Sequence, residues 1–148
     1  MSYYQPQKHT NFEFEDILKY LKRAKIAIVQ EKYNLSMNRE KNKKFSEDYN
    51  LTAKKIENII LNLEVEDFCY AVDNEKEEFS HEILYVFCSK EELNYFGEYN
   101  EVDIYIKFNL IESANYLYII SFHKREKPVS FLFKQQKWEG ENNENFLS

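Results

Sequence analysis

The sequence predicts an α+β fold: an antiparallel sheet of about four strands with two to four N-terminal helices packed on one face. Three observations predict it. Apolar residues recur twice at helical spacing in the first half of the 148-residue chain. Alternating, β-branched and aromatic runs dominate the second half. Helices come first and strands follow, which is the order of an α+β domain.

The first helix starts near Thr10-Asn11-Phe12-Glu13, which has capping-box spacing. Phe14, Ile17, Leu18 and Leu21 then recur at steps of three and four, one stripe running to about Ala24. Ile26-Ala27-Ile28-Val29 fits either the helix end or a brief strand. Residues 35–48 are charged, and Leu35, Met37 and Phe45 fit a solvated helix or a turn and helix. Thr52 is a good N-cap, and Ile56, Ile59, Ile60 and Leu63 form the second clear stripe.

The character changes at Glu64. Val65-Glu66-Asp67-Phe68 reads as a turn and residues 73–82 as an acidic loop. Ile83–Cys88 is a short apolar run rich in β-formers. Ser89–Glu101 reads as a polar connection. In Val102–Phe108, Val102, Ile104, Ile106 and Phe108 alternate with Asp103, Tyr105 and Lys107. Side chains of a strand point to opposite faces with period two, so this strand has a buried side and a wet side. In Tyr118–Arg125, Ile120 and Phe122 alternate with Ser121 and His123. A hairpin turning through Ser113-Ala114-Asn115 would bury Ile104, Ile106, Phe108, Ile120 and Phe122 together. Beyond Pro128, Val129, Phe131 and Phe133 alternate as another strand. One domain spans residues 1–148, with 1–10 and 139–148 expected to fray.

Composition narrows the function. Two Gly and two Pro leave no Gly-rich phosphate loop. Cys69 and Cys88 form no CxxC pair, and no metal or cofactor motif is present. Two buried thiols is the plain reading, and the count is also compatible with a disulfide. No run approaches a membrane span and residues 1–10 lack a signal-peptide core, so a soluble, cytoplasmic product is expected. Net charge is −6, which taken alone disfavours nucleic acid. The distribution is uneven. Residues 19–55 hold eleven Lys/Arg against four Asp/Glu, residues 71–101 two against nine, and residues 102–138 six against three. The basic blocks either form one surface, with the acidic middle elsewhere, or are solvated faces.

The hairpin's wet face would gather Tyr105, Lys107, Ser121 and His123, with Lys124 and Arg125 at its end. That set suits cutting RNA without metal. A base takes the 2′-hydroxyl proton, the oxygen attacks phosphorus, and an acid protonates the departing 5′-oxygen. Imidazole titrates near operating pH. Lys107 and Arg125 would hold the phosphate and stabilise its transition-state charge. Tyr105 would orient or protonate. Against this, Tyr and Lys on a wet face are most often only solvated, and Tyr85 is most simply packing. Ser121 lacks a nucleophile elbow, and His9 and His81 lie in polar segments with no partner and are assigned no role.

From about Asn38 to Lys134 the order of motifs resembles the MqsR-type toxins of bacterial toxin–antitoxin pairs, especially their longer firmicute relatives. The pieces are Arg39-Glu40-Lys41-Asn42, Phe45 with Tyr49-Asn50-Leu51-Thr52, Leu61–Phe68, Leu84-Tyr85-Val86-Phe87, Val102–Phe108, and Ile120-Ser121-Phe122-His123 before Pro128. The resemblance implies a RelE-like α+β fold, sequence-selective mRNA cleavage without metal, and a cognate antitoxin partner. It assigns the active site to Tyr105 and His123, with Lys107 and Arg125 nearby, and leaves Lys124, Tyr85 and Ser121 as candidate substrate contacts. This chain carries Tyr70 and His123 where shorter members carry Lys, Val86 where they carry Gln, and Ala71-Val72 where longer ones carry Gly-Pro. The rival expectation is a non-catalytic protein-binding module on the same fold, using its exposed aromatics.

Overall fold

The computed structural model describes residues 3–134. Among these the order is β1 (Lys8–His9), α1 (Phe14–Val29), β2 (Tyr33–Leu35), α2 (Glu40–Asp48), α3 (Ala53–Leu61), β3 (Phe68–Asp73), β4 (Ile83–Tyr95), β5 (Glu98–Ile111) and β6 (Tyr116–Lys124). The fold is α+β. The sheet differs from the expected four antiparallel strands: it has six, in the order β1-β3-β4-β5-β6-β2, and β2 runs parallel to β6. Three of these strands were not expected: β3, and the edge strands β1 and β2, whose two and three residues are too few to carry a periodic pattern.

The cap of α1 falls at Glu13, not Thr10: Glu13 and Asp16 exchange the capping-box bonds. Thr10 instead closes a turn with its carbonyl accepting from Phe12 N. That turn drops the Phe12 ring onto Phe68 and Tyr85, each 5.5 Å away between ring centres. The helix absorbs the ambiguous run to Val29, burying Ala24, Ala27 and Ile28 with Ile17, Tyr20 and Leu21. In α3, Thr52 accepts from Lys55 N at 3.1 Å, and Ile56, Ile59 and Ile60 are buried. These faces close over Phe87, Ile104, Ile106, Phe108, Leu117, Ile119 and Phe122 as one core.

Strands β4 and β5 run straight through Ser89–Glu101, expected to be a connection, and meet at Phe96-Gly97. Both turn residues have positive φ, 50° and 96°, as a two-residue hairpin requires. Leu93 and Val102 hold the distal half to the core. The β5–β6 turn includes Glu112–Ala114, with Asn115 left-handed. A bulge then changes which isoleucine is buried. Lys107 opposes Ser121 but Phe108 opposes Ile119, so Ile120 is the extra residue and Ile119 enters the core in its place.

The run Val129–Phe133 is not a strand. It straps the sheet: Leu132 N bonds Phe68 O, Val129 and Phe131 cover Cys69, Val86 and Cys88, and Leu132 and Phe133 join the main core. Both cysteines are free and buried. Lys8–His9, expected to fray, pair with Ala71–Val72. Residues 139–148 lie outside the described residues. No described helix is long and apolar enough to cross a membrane.

Candidate functional site

The main core takes every second side chain of β5, so Tyr105 and Lys107 leave on the face away from α1 and α3. Register does the rest. Tyr105 opposes His123, and Lys107 opposes Ser121. The Tyr105 and His123 rings stack with centres 5.5 Å apart and planes 26° apart. Lys107 Nζ lies 5.9 Å from the Tyr105 ring centre. The Tyr105 hydroxyl meets the Tyr70 hydroxyl at 3.3 Å, and Lys8 Nζ sits 4.4 Å over the Tyr70 ring.

His123 is poised in one tautomer. Its Nδ1 lies 2.9 Å from the Lys124 carbonyl, which can only accept, so Nδ1 carries the proton. The neutral ring then presents Nε2 as a proton acceptor. Burial lowers the His123 pKa from 6.5; the Lys124 carbonyl and Glu126 draw it up, while Lys41 and Lys107 push it down. The net shift is downward, which favours the neutral base. Burial also lowers the pKa of Lys107, opposed by Glu75 and reinforced by Arg39. Burial, then the bond to Tyr70, raises the pKa of Tyr105, so its phenol keeps its proton and can donate.

His123 also lines a cleft of about 470 Å³ between α2, the end of β6 and the distal β4–β5 hairpin. Lys41, Lys44 and Lys124 enter it, as do Asp48 and Glu126. Lys41 pairs with Glu126 at 2.7 Å and Lys44 with Asp48 at 3.2 Å. The two basic blocks therefore do meet here. The segment 71–101 reaches the same cleft with the neutral Tyr95 and Asn100.

Four expected residues come together: Tyr105, Lys107 and His123 on the open face, with Lys124 at the cleft. The other three are engaged, sealed or turned away. Arg125 has its guanidinium engaged, donating to Asp103 Oδ2 at 3.0 Å and to the Lys127 carbonyl at 3.1 Å, while Lys90 holds the other Asp103 oxygen at 3.2 Å. Burial raises the Asp103 pKa, but the bonds from Arg125 and Lys90 outweigh it, so the carboxylate stays charged and keeps Arg125 tied. Ser121 shares the row of Lys107 but is only 2% exposed, sealed from a ligand. Tyr85 faces the helices, stacked on Tyr20 with ring centres 3.7 Å apart.

Sequence reasoning missed Tyr70 as a member of this face, because a bulge between Phe68 and Tyr70 breaks the alternation that would have placed it. Lys8 carried no local signal at all. Among the described residues no group of three His, Cys, Asp or Glu is placed to hold a metal. No protein-family model matches the chain, and neither the curated proteins nor the solved structures contain a significant match to it.

Proposed function

We propose that this protein is a toxin of a type II toxin–antitoxin system, an endoribonuclease that cleaves mRNA with its own side chains on a RelE-like fold. The observation that carries the reading is the stacked Tyr105–His123 pair with Lys107 beside it and His123 Nε2 left as a proton acceptor. The motif order from Asn38 to Lys134 supports it independently.

In this reading His123 Nε2 takes the proton of a ribose 2′-hydroxyl. That oxygen attacks the adjacent phosphorus, and the bond to the 5′-oxygen breaks. The products are a 2′,3′-cyclic phosphate and a 5′-hydroxyl, the latter completed by a proton returned to the leaving oxygen. Lys107 offsets the charge gathered on the phosphorane, more effectively for being half-buried. The protonated Tyr105 phenol donates to a phosphate oxygen. Arg125, held by Asp103 and the Lys127 carbonyl, is not given the phosphate-clamp role.

The test is cleavage of single-stranded RNA in EDTA. Wild type should cut, and His123→Ala should lose about 10²- to 10⁴-fold while folding normally. Equal rates would remove His123 from the mechanism. One feature favours a non-catalytic protein-binding module instead: the hairpin tip exposes Tyr95, Phe96 and Tyr99, with Phe96 80% accessible. No growth arrest on expression and no RNA cleavage would select that reading. Arrest relieved by the product of an adjacent gene would select the toxin.

A further inference from the structure

Past Tyr105 the strap covers Cys69, Val86 and Cys88, and at the far edge of the same sheet face β1 adds a cation that the expected catalytic group lacks. We propose that Lys8 is a second phosphate contact, holding a phosphodiester of single-stranded RNA further along the strand from the one cut at His123, and that Tyr70 is its positioning residue. This rests on the ribonuclease reading above.

Three observations carry it. First, the backbone around Lys8 is fixed from both sides by one residue. Asp73 N donates to Gln7 O at 3.0 Å, Gln7 N donates to Asp73 Oδ2 at 3.0 Å, and His9 Nε2 lies 2.7 Å from Asp73 Oδ1. His9, and then Gln7 N, hold the Asp73 pKa low, so the clamp keeps its charge. A two-residue strand adds little to sheet stability, yet this one is pinned where its lysine departs. Second, Lys8 opposes Val72, on the same face as Tyr70 and Lys107. Among the described residues it is exposed and pairs with no carboxylate, so its charge is free for a ligand. Third, the arrangement repeats. Lys8 stands over Tyr70 as Lys107 stands beside Tyr105, and the two phenols meet at 3.3 Å.

The two tyrosine–lysine pairs are thus linked through their phenols, beside the strap, and the inner pair leads to His123. Strand spacing of about 4.8 Å sets the span from β1 to β6 at roughly 19 Å, room for more than one phosphate. The ring of Tyr70 holds the ammonium in place by cation–π attraction, and its hydroxyl ties that pair to Tyr105. A phosphate held here, further along the RNA strand, would keep the scissile one in register at His123.

The experiment measures anisotropy of a labelled, mixed-sequence single-stranded RNA against salt, in the His123→Ala background to prevent cutting. Lys8→Gln should weaken binding several-fold and flatten the slope of log K against log salt by about 0.7, the loss of one single-strand phosphate contact. Lys8→Arg should restore both, and Tyr70→Leu should give part of the Lys8→Gln effect while Tyr70→Phe gives less. Thermal unfolding of Lys8→Gln should match the parent, because the side chain is exposed. In turnover with His123 intact, the loss should fall on KM more than on kcat. An unchanged salt slope in Lys8→Gln, with the parent binding RNA, overturns the subsite and leaves the ribonuclease reading standing. No salt-dependent binding by the parent overturns the ribonuclease reading, and the subsite with it.

Discussion

His123 shows how one side chain acquires a role from its setting. Burial lowers its pKa from 6.5, so the unfolded chain binds a proton more tightly than the folded one. The resulting contribution to stability is complete above pH 6.5 and is lost as pH falls through that value toward the lowered folded pKa. In the proposed ribonuclease the same shift would set activity. RNA cleavage should then rise with pH to a plateau, with its acid-side midpoint below 6.5, because the neutral ring would be the base. Measuring kcat/KM from about pH 5 to 8 checks this, and His123→Gln should remove the limb along with most of the activity. A midpoint at or above 6.5 would contradict the lowered pKa, and activity that falls as pH rises through this range would contradict the neutral-base assignment. The place of His123 on the face of Tyr105 was legible in the alternation of Tyr118–Arg125. Its tautomer was not, because the Lys124 carbonyl is set by the turn of the chain leaving β6.

Elements divide by length into those that announce themselves and those that do not. The stripe of α3 and the alternation of β5 each repeat several times, and both form where expected. β1 and β2 are too short to repeat, and β6 carries a bulge that no pattern of apolar residues encodes. That bulge sits where β2 stops. Past Leu35 the edge of β6 would be open, and α2 closes it: the Asn42 side-chain amide donates to Ile120 O and Ser36 O, and its carbonyl accepts from Phe122 N, each at 2.9 Å. Asn42 is 1% exposed, so no water replaces these bonds. Asn42→Ala should cost about 1–3 kcal/mol in chemical denaturation, the penalty for stranding buried backbone groups. Because those groups flank Ser121 and precede His123, the variant should also lose RNA cleavage. A loss below about 0.5 kcal/mol would mean that the edge is satisfied in another way.

At the scale of the whole molecule, both faces of the sheet are used. One carries α1 and α3 and the main core. The other is covered at one side by the strap Val129–Phe131 and left accessible at Tyr105, Lys107 and His123. Beneath the strap, burial pushes the Cys88 thiol up to about 11, and Cys69 rises further for the same cause. Both thiols should therefore react slowly with a thiol reagent at neutral pH. Val129→Asp should speed the reaction roughly tenfold or more, as expected if local opening becomes easier by about 1.4 kcal/mol. Rapid reaction in the unaltered protein would show that the strap does not seal this side.

The sequence by itself determined the class of the fold, the two long helical stripes and the pairing face of β5, because local periodicity states which side of an element avoids water. It also brought Tyr105, Lys107 and His123 onto one surface, since alternation and register are short-range consequences of the hairpin. Tertiary structure alone decided the rest. Arg125 is drawn to Asp103, Ser121 is sealed, and Tyr85 turns to Tyr20, while Lys8, Tyr70 and Lys41 arrive from distant segments. Those outcomes depend on charge pairing, edge coverage and strand order, which are interactions between residues far apart along the chain, and a local pattern holds no record of them.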